Sequence, residues 1–187
     1  MSDAGGLLRL IAPGLDKLPE YEAALAAGWS PDTERDVSAV QLAALRRDPA
    51  AFLVELTRQD GQIMLPSGEL VPRLPSRVFW LDDGAFCGAI NLRFSPGTDA
   101  LPPYVSGHIG YAVVPWKQRR GYATHALALI LPVAREVGLR RAVLTCDEDN
   151  EPSRRVILAN GGVFTGIAHY PGGKTKRVFA IDVAAGA

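Results

Sequence analysis

The apolar positions of this chain change period along its length, and those changes divide it into strands and helices. Residues 7–12 (L-L-R-L-I-A) are a short apolar run that predicts a first strand. Over residues 15–27, Leu15, Leu18, Ala23, Leu25 and Ala26 recur at helical spacing until Gly28 stops them. Residues 36–46 and 49–59 predict two more helical pieces, with Leu42, Leu45, Phe52, Val54 and Leu56 as apolar surface. Pro49 opens the second piece, where a missing N–H costs nothing. Residues 61–76 hold Gly61, Pro66, Gly68, Pro72 and Pro75 and read as a loop. Residues 77–81 and 85–94 then predict a hairpin turning at Asp82-Asp83-Gly84.

A second Pro- and Gly-rich connection, residues 95–107, leads into a strand at 108–114 that Pro115 ends. In the helix predicted over 122–137, Ala123, Leu127, Ile130, Ala134 and Val137 form one stripe. Pro132 sits inside it and removes the bond to the Ala128 carbonyl, which predicts either a bend or an end near Leu131 and a restart. A β-branched strand at 141–146 follows Gly138, then a helix from Asn150 to Asn160-Gly161-Gly162. A last hairpin pairs 163–169 with 177–183 through Pro171-Gly172-Gly173. Runs of strands with helices inserted predict an α+β fold with a mixed sheet. At 187 residues without internal repeat, the chain is expected to form a single domain, 1–187.

Composition narrows the function classes. Twenty Lys and Arg balance twenty Asp and Glu, which argues against a general nucleic-acid or membrane-surface binder. No apolar run approaches the roughly 18 residues of a membrane span, no signal peptide opens the chain, and a cytoplasmic location is expected. Cys87 and Cys146 lie in apolar strand-like runs and read as buried free thiols, with a disulfide between them as the alternative; no His/Cys cluster suggests a metal site.

The chemistry concentrates in residues 108–124, H-I-G-Y-A-V-V-P-W-K-Q-R-R-G-Y-A-T. A strand feeding a tight glycine turn and a helix N-terminus holds phosphate through unpaired N–H groups and the helix dipole. Lys117, Arg119 and Arg120 add charge there. The spacing is neither that of a P-loop, which needs G-x-x-x-x-G-K-[ST], nor the G-x-G-x-x-G of dinucleotide sites. What stands is Gln118-Arg119-Arg120-Gly121-Tyr122-Ala123, Q-x-x-G-x-A.

That hexapeptide resembles the pyrophosphate loop of the GNAT superfamily of N-acetyltransferases, Q/R-x-x-G-x-G/A. The succession continues through the 141–146 strand, an asparagine opening the next helix, and the glycine step Gly161-Gly162-Val163-Phe164. The resemblance implies a GNAT-like α+β domain, a mixed, mostly antiparallel sheet of about seven strands splayed between 108–114 and 141–146, with helices on both faces. It implies acetyl-coenzyme A as co-substrate, no metal, and direct acetyl transfer to a primary amine of a small molecule or peptide.

Main-chain groups of Ala112, Val113 and Val114 would then pair with the pantetheine arm and polarise the thioester. The amides of Gln118, Arg119, Arg120, Gly121, Tyr122, Ala123 and Thr124 would hold the pyrophosphate; Asn150, backed by Ser153, would bond the pantetheine or cap its helix. Many family members place a tyrosine seven residues after that asparagine to protonate the leaving thiolate, where this chain has Ile157. His108 and Tyr111, with Glu151 as a third, are the groups near the strand that exchange protons; a structural histidine and a packed tyrosine are the competing readings. Because of Ile157, a non-catalytic acyl-coenzyme A binding or sensing module stands as the alternative function. A homodimer is compatible with the sequence.

Overall fold

The computed structural model describes residues 7–65, 67–170 and 173–184. Its elements, in chain order, are β1 (Arg9–Ile11), α1 (Leu18–Ala26), α2 (Ser38–Arg47), α3 (Pro49–Leu56), β2 (Gln62–Met64), β3 (Leu70–Pro72), β4 (Ser76–Asp82), β5 (Phe86–Arg93) and β6 (Ile109–Val113). A 3₁₀ turn (Pro115–Lys117), α4 (Tyr122–Glu136), β7 (Arg141–Asp147), α5 (Glu151–Ala159), β8 (Val163–His169) and β9 (Thr175–Asp182) complete it. The fold is α+β, with nine strands among the described residues where about seven were expected. Two compact units emerge, Met1–Gln59 with Ser76–Asn91 and Gly110–Ala126, and Asp60–Pro75 with Leu92–Ile109 and Leu127–Ala187.

The first unit is built on an aromatic core. Leu18, Tyr21, Ala24 and Leu25 recur at helical spacing and form the buried stripe of α1. The Tyr21 ring stacks on Trp80 of β4 at 4.8 Å and meets Trp29 and Phe86 edge-on at 5.7 and 5.4 Å. Leu45 of α2, Phe52 of α3 and Ala112 and Val114 at the end of β6 join the same cluster. Each large side chain so buried contributes about 1.5–3 kcal/mol.

A four-stranded sheet runs β1-β4-β5-β6, leaving β6 at its edge. Antiparallel pairing sets Ile11 opposite Trp80. On β5, Gly88 has φ +146°, and a Cβ added there would lie 2.2 Å from the Ala112 carbonyl oxygen. Only glycine permits that approach of two backbones.

In the second unit, β9 lies between β7 and β8, antiparallel to both, with Leu144 opposite Phe179. Ala142, Leu144 and Cys146 alternate as the buried side of β7. Residues 61–76, read from sequence as a loop, instead contain the antiparallel ribbon β2–β3, with Ile63 opposite Val71. Its strands are three residues each and mostly exposed, so they lack the apolar alternation that marks longer strands. This ribbon supplies the strands beyond the expected count. Helix α4 runs unbroken through Pro132. Both Pro132 and Ala128 are exposed, so water can bond the carbonyl the proline leaves unpaired. Of the turn predicted at 171–173, Pro171 and Gly172 lie outside the described residues. Among the described residues no helix is long and apolar enough to cross a membrane.

Gly88→Ala is expected to destabilise the fold by about 3 kcal/mol or more, through the forced displacement of β6. Urea unfolding checks it: the midpoint should fall sharply with the slope unchanged.

Candidate active site

The hydrogen-bond parity of β6 decides which of its groups can meet a ligand. The Val114 N–H donates to the Cys87 carbonyl at 3.0 Å. Successive residues of a strand present their N–H groups to opposite edges, so the Val113 N–H points away from β5, across the sheet's open edge. Of the three residues the sequence suggested, Val113 therefore offers an N–H to a thioester carbonyl, whereas Val114 has its own committed to the ladder. The Ala112 and Val114 side chains pack into the aromatic core.

Beyond Val114 the chain leaves the ladder, because the Lys117 N–H donates back to the Val114 carbonyl at 2.9 Å and closes a 3₁₀ turn that the fixed φ of Pro115 opens. The chain turns through 115–117, and the Gln118 side chain reaches back to the Val113 carbonyl at 3.2 Å, bracing the loop to the strand. Arg119 has φ 58° and Gly121 φ 78°, both left-handed, with Arg120 between them. Alternation of this kind turns successive N–H groups to one side and makes a concavity for an anion. Arg119 is the single non-glycine residue with positive φ among the described residues, a conformation that costs about 1–2 kcal/mol. At Gly121 the space a Cβ would take is open. The His125 N–H is bonded to the Gly121 carbonyl, so the N–H groups of Tyr122 and Ala123 precede the first helical bond and point out of the end of α4. Arg119 and Arg120 are exposed beside them. Open space, aligned amides and two guanidinium groups fit a pyrophosphate.

Lys117 is used otherwise than the sequence suggested. Its Nζ donates to Asp83 Oδ2 at 2.7 Å, with only 18% of the lysine side chain and 3% of the aspartate exposed. The Tyr122 hydroxyl donates to the same oxygen. Burial alone would raise the Asp83 pKa, but these two hydrogen bonds outweigh it and hold the carboxyl well below the ordinary range. Asp83 had been legible only as a turn residue of the β4–β5 hairpin.

In the second unit, Asn150 caps α5, its Oδ1 accepting from the Ser153 N–H at 3.0 Å, which leaves the amide NH₂ for a ligand. Glu151 is held by Arg154 and Arg155; the hydrogen bond from Arg154 chiefly, and that from Arg155, push its pKa down to about 2. A carboxylate so stabilised is a poor base. Ile157 is wholly buried, and a Cβ on Gly162 would lie 2.3 Å from its Cγ2. This position packs the core.

His108 is also wholly buried. Its ring Nδ1 accepts from the Val143 N–H at 2.9 Å while the His108 backbone N–H donates to the Val143 carbonyl at 2.7 Å, tying the residue before β6 to β7. With Nδ1 accepting, the neutral ring carries its proton on Nε2, which meets no acceptor among the described residues. Burial, with Arg93 nearby, lowers its pKa against the opposing pull of Asp99. Tyr111 is half-buried, and strand alternation places its side chain on the face of β6 opposite Ala112.

The profile of the acetyltransferase (GNAT) family matches residues 41–161. The chain belongs to the GNAT family. Solved structures agree on the fold of this GNAT protein. Mycobacterium smegmatis RimJ in complex with CoA-disulfide is 20% identical, with TM-score 0.64 over 96% of this chain and 83% of that one. RimL, a ribosomal L7/L12 alpha-N-protein acetyltransferase in complex with coenzyme A, is 17% identical, with TM-score 0.63 over 97% of each chain. The microcin C7 self-immunity acetyltransferase MccE, in complex with acetyl-CoA and AMP, is 14% identical at TM-score 0.58, over 95% of this chain and 96% of its own. No curated protein sequence matches this chain.

The buried imidazole gives a pH test. Above pH ~6.5 both folded and unfolded His108 are neutral; below it the unfolded chain takes up a proton that the folded ring resists, so stability falls with pH. His108→Asn keeps an acceptor for the Val143 N–H without titrating. The Tm gap between wild type and His108→Asn is expected to narrow between pH 7.5 and 5.5. A constant gap would mean that the ring titrates alike in both states.

Proposed function

We propose that this GNAT acetyltransferase moves the acetyl group of acetyl-coenzyme A directly onto a primary amine of a small molecule or peptide, acting as one domain over residues 1–187. The observation that carries the reading is the turn 118–124, whose left-handed Arg119 and Gly121 aim amides at the end of α4 beside two exposed arginines. Acetyl-coenzyme A, when bound, would supply an activated thioester. The chain's own groups do the rest. Amides of 119–123 and the guanidinium groups of Arg119 and Arg120 bind the pyrophosphate. The Val113 N–H polarises the acyl oxygen as charge develops on it, and the Asn150 NH₂ donates to the pantetheine arm. Thr124 and Ser153 complete the two helix starts.

The two thiols support direct transfer. Cys87 is buried and its pKa is pushed up to about 12, by burial first and by Asp83 second; burial likewise raises that of Cys146. A neutral buried thiol is no nucleophile at physiological pH. For proton handling we assign Tyr111, on the strand that polarises the carbonyl, and give His108 the task of positioning that strand. Thiolate is itself a fair leaving group, with a thiol pKa near ~8.5, so Ile157 in place of an acid is compatible with turnover. RimL is described as an alpha-N-protein acetyltransferase, which supports a peptide amine among the acceptors to be tried.

Thermal unfolding with and without acetyl-coenzyme A tests the reading. At about 100 times Kd the ligand should add roughly 2.7 kcal/mol, and the shift should vanish in folded Gly121→Glu. Absence of any shift in wild type would overturn the proposal. Binding without release of free thiol across an amine panel would favour the sensing module instead. Tyr111→Phe should lower kcat at least about tenfold if that hydroxyl moves the proton.

A further inference from the structure

We infer that Asp83 is a positioning residue for the coenzyme A loop, an inference that rests on the function proposed above. Its Oδ2 accepts from Lys117, the residue just before the loop 118–121, and from Tyr122, the residue just after it. One buried oxygen thus fixes both ends of the phosphate turn. The carboxylate is itself fixed: the Ala85 N–H donates to Oδ1 at 3.1 Å, and the hairpin turn between β4 and β5 carries it. The Lys117 ammonium also lies over the Tyr122 ring, 6.0 Å from its centroid, so the two loop ends face each other as well as Asp83.

Charge alone argues the other way. A carboxylate beside an anion-binding turn repels the ligand, and a protein selected only for attraction would leave Lys117 free to face phosphate. Here the lysine charge is matched at 2.7 Å and withdrawn from solvent. The arrangement makes sense if ordering the turn matters more than one added charge. The turn includes Arg119 in a left-handed conformation that an unrestrained arginine rarely adopts. A loop already held in its binding geometry does not lose conformational entropy when the ligand arrives.

The two accounts predict opposite signs. Asp83→Asn removes the charge and weakens both hydrogen bonds while preserving shape. Tyr122→Phe removes one bond and leaves the charge pair intact. Isothermal titration of wild type and variants with coenzyme A, after circular dichroism confirms folding, reads the result. Positioning requires the Kd of Asp83→Asn to rise about tenfold and that of Tyr122→Phe about threefold. Because both variants act through one oxygen, the double variant should bind within about twofold of Asp83→Asn alone. Equal or tighter binding by Asp83→Asn, or additive losses, would overturn the inference while leaving the proposed function standing. Should Asp83→Asn fail to fold, an unchanged Kd in Tyr122→Phe overturns it as well. Wild type that binds no coenzyme A would overturn both.

Discussion

A strand can give the hydrogen bonds of one edge to a neighbour and present the other edge to a ligand, and the site depends on β6 doing so. The constraint originates in the aromatic core. Tyr21, Trp80 and Phe86 fix β4 and β5, and Ala112 and Val114 carry the same packing into β6. Gly88 brings the two backbones together, and the Val114 N–H closes on Cys87. The turn that begins at Pro115 then takes the chain off the ladder. Direction and parity of the strand are set by packing that never touches a ligand.

From that fixed end the turn acquires its electrostatics. Its favourable potential for an anion comes from backbone amides and from Arg119 and Arg120, while Lys117 is neutralised by Asp83. Backbone dipoles held in place need no reorganisation when charge arrives, whereas a flexible lysine must lose rotamer freedom to reach it. The same economy holds at His108, whose ring pins the start of β6 to Val143 with its basic nitrogen occupied.

Much of this was legible in the chain. The helix ends at Gly28, Gly138 and Gly161 were readable because each helix closes with paired bonds, such as Trp29 N–H to Ala24 and Gly28 N–H to Leu25. The strand, proline, glycine turn and helix at 109–136 followed from local pattern. Four things did not follow. The β2–β3 ribbon is too short and too exposed to show a period. The parity that distinguishes Val113 from Val114 depends on register with β5, which the sequence does not carry. Lys117 and Asp83 are 34 residues apart, so its neutralisation could not be read from neighbours along the chain. Burial of His108 is likewise a tertiary fact.

The central claim is that the turn after β6 recognises a pyrophosphate through its backbone. Calorimetric affinities of coenzyme A, dephospho-coenzyme A and pantetheine for the intact protein test it most directly. Two or more charge-assisted hydrogen bonds to the pyrophosphate should make pantetheine at least about a hundredfold weaker than coenzyme A. Dephospho-coenzyme A, which keeps the pyrophosphate, should retain most of the affinity. Pantetheine binding within about threefold of coenzyme A would contradict the account and leave the turn without a ligand.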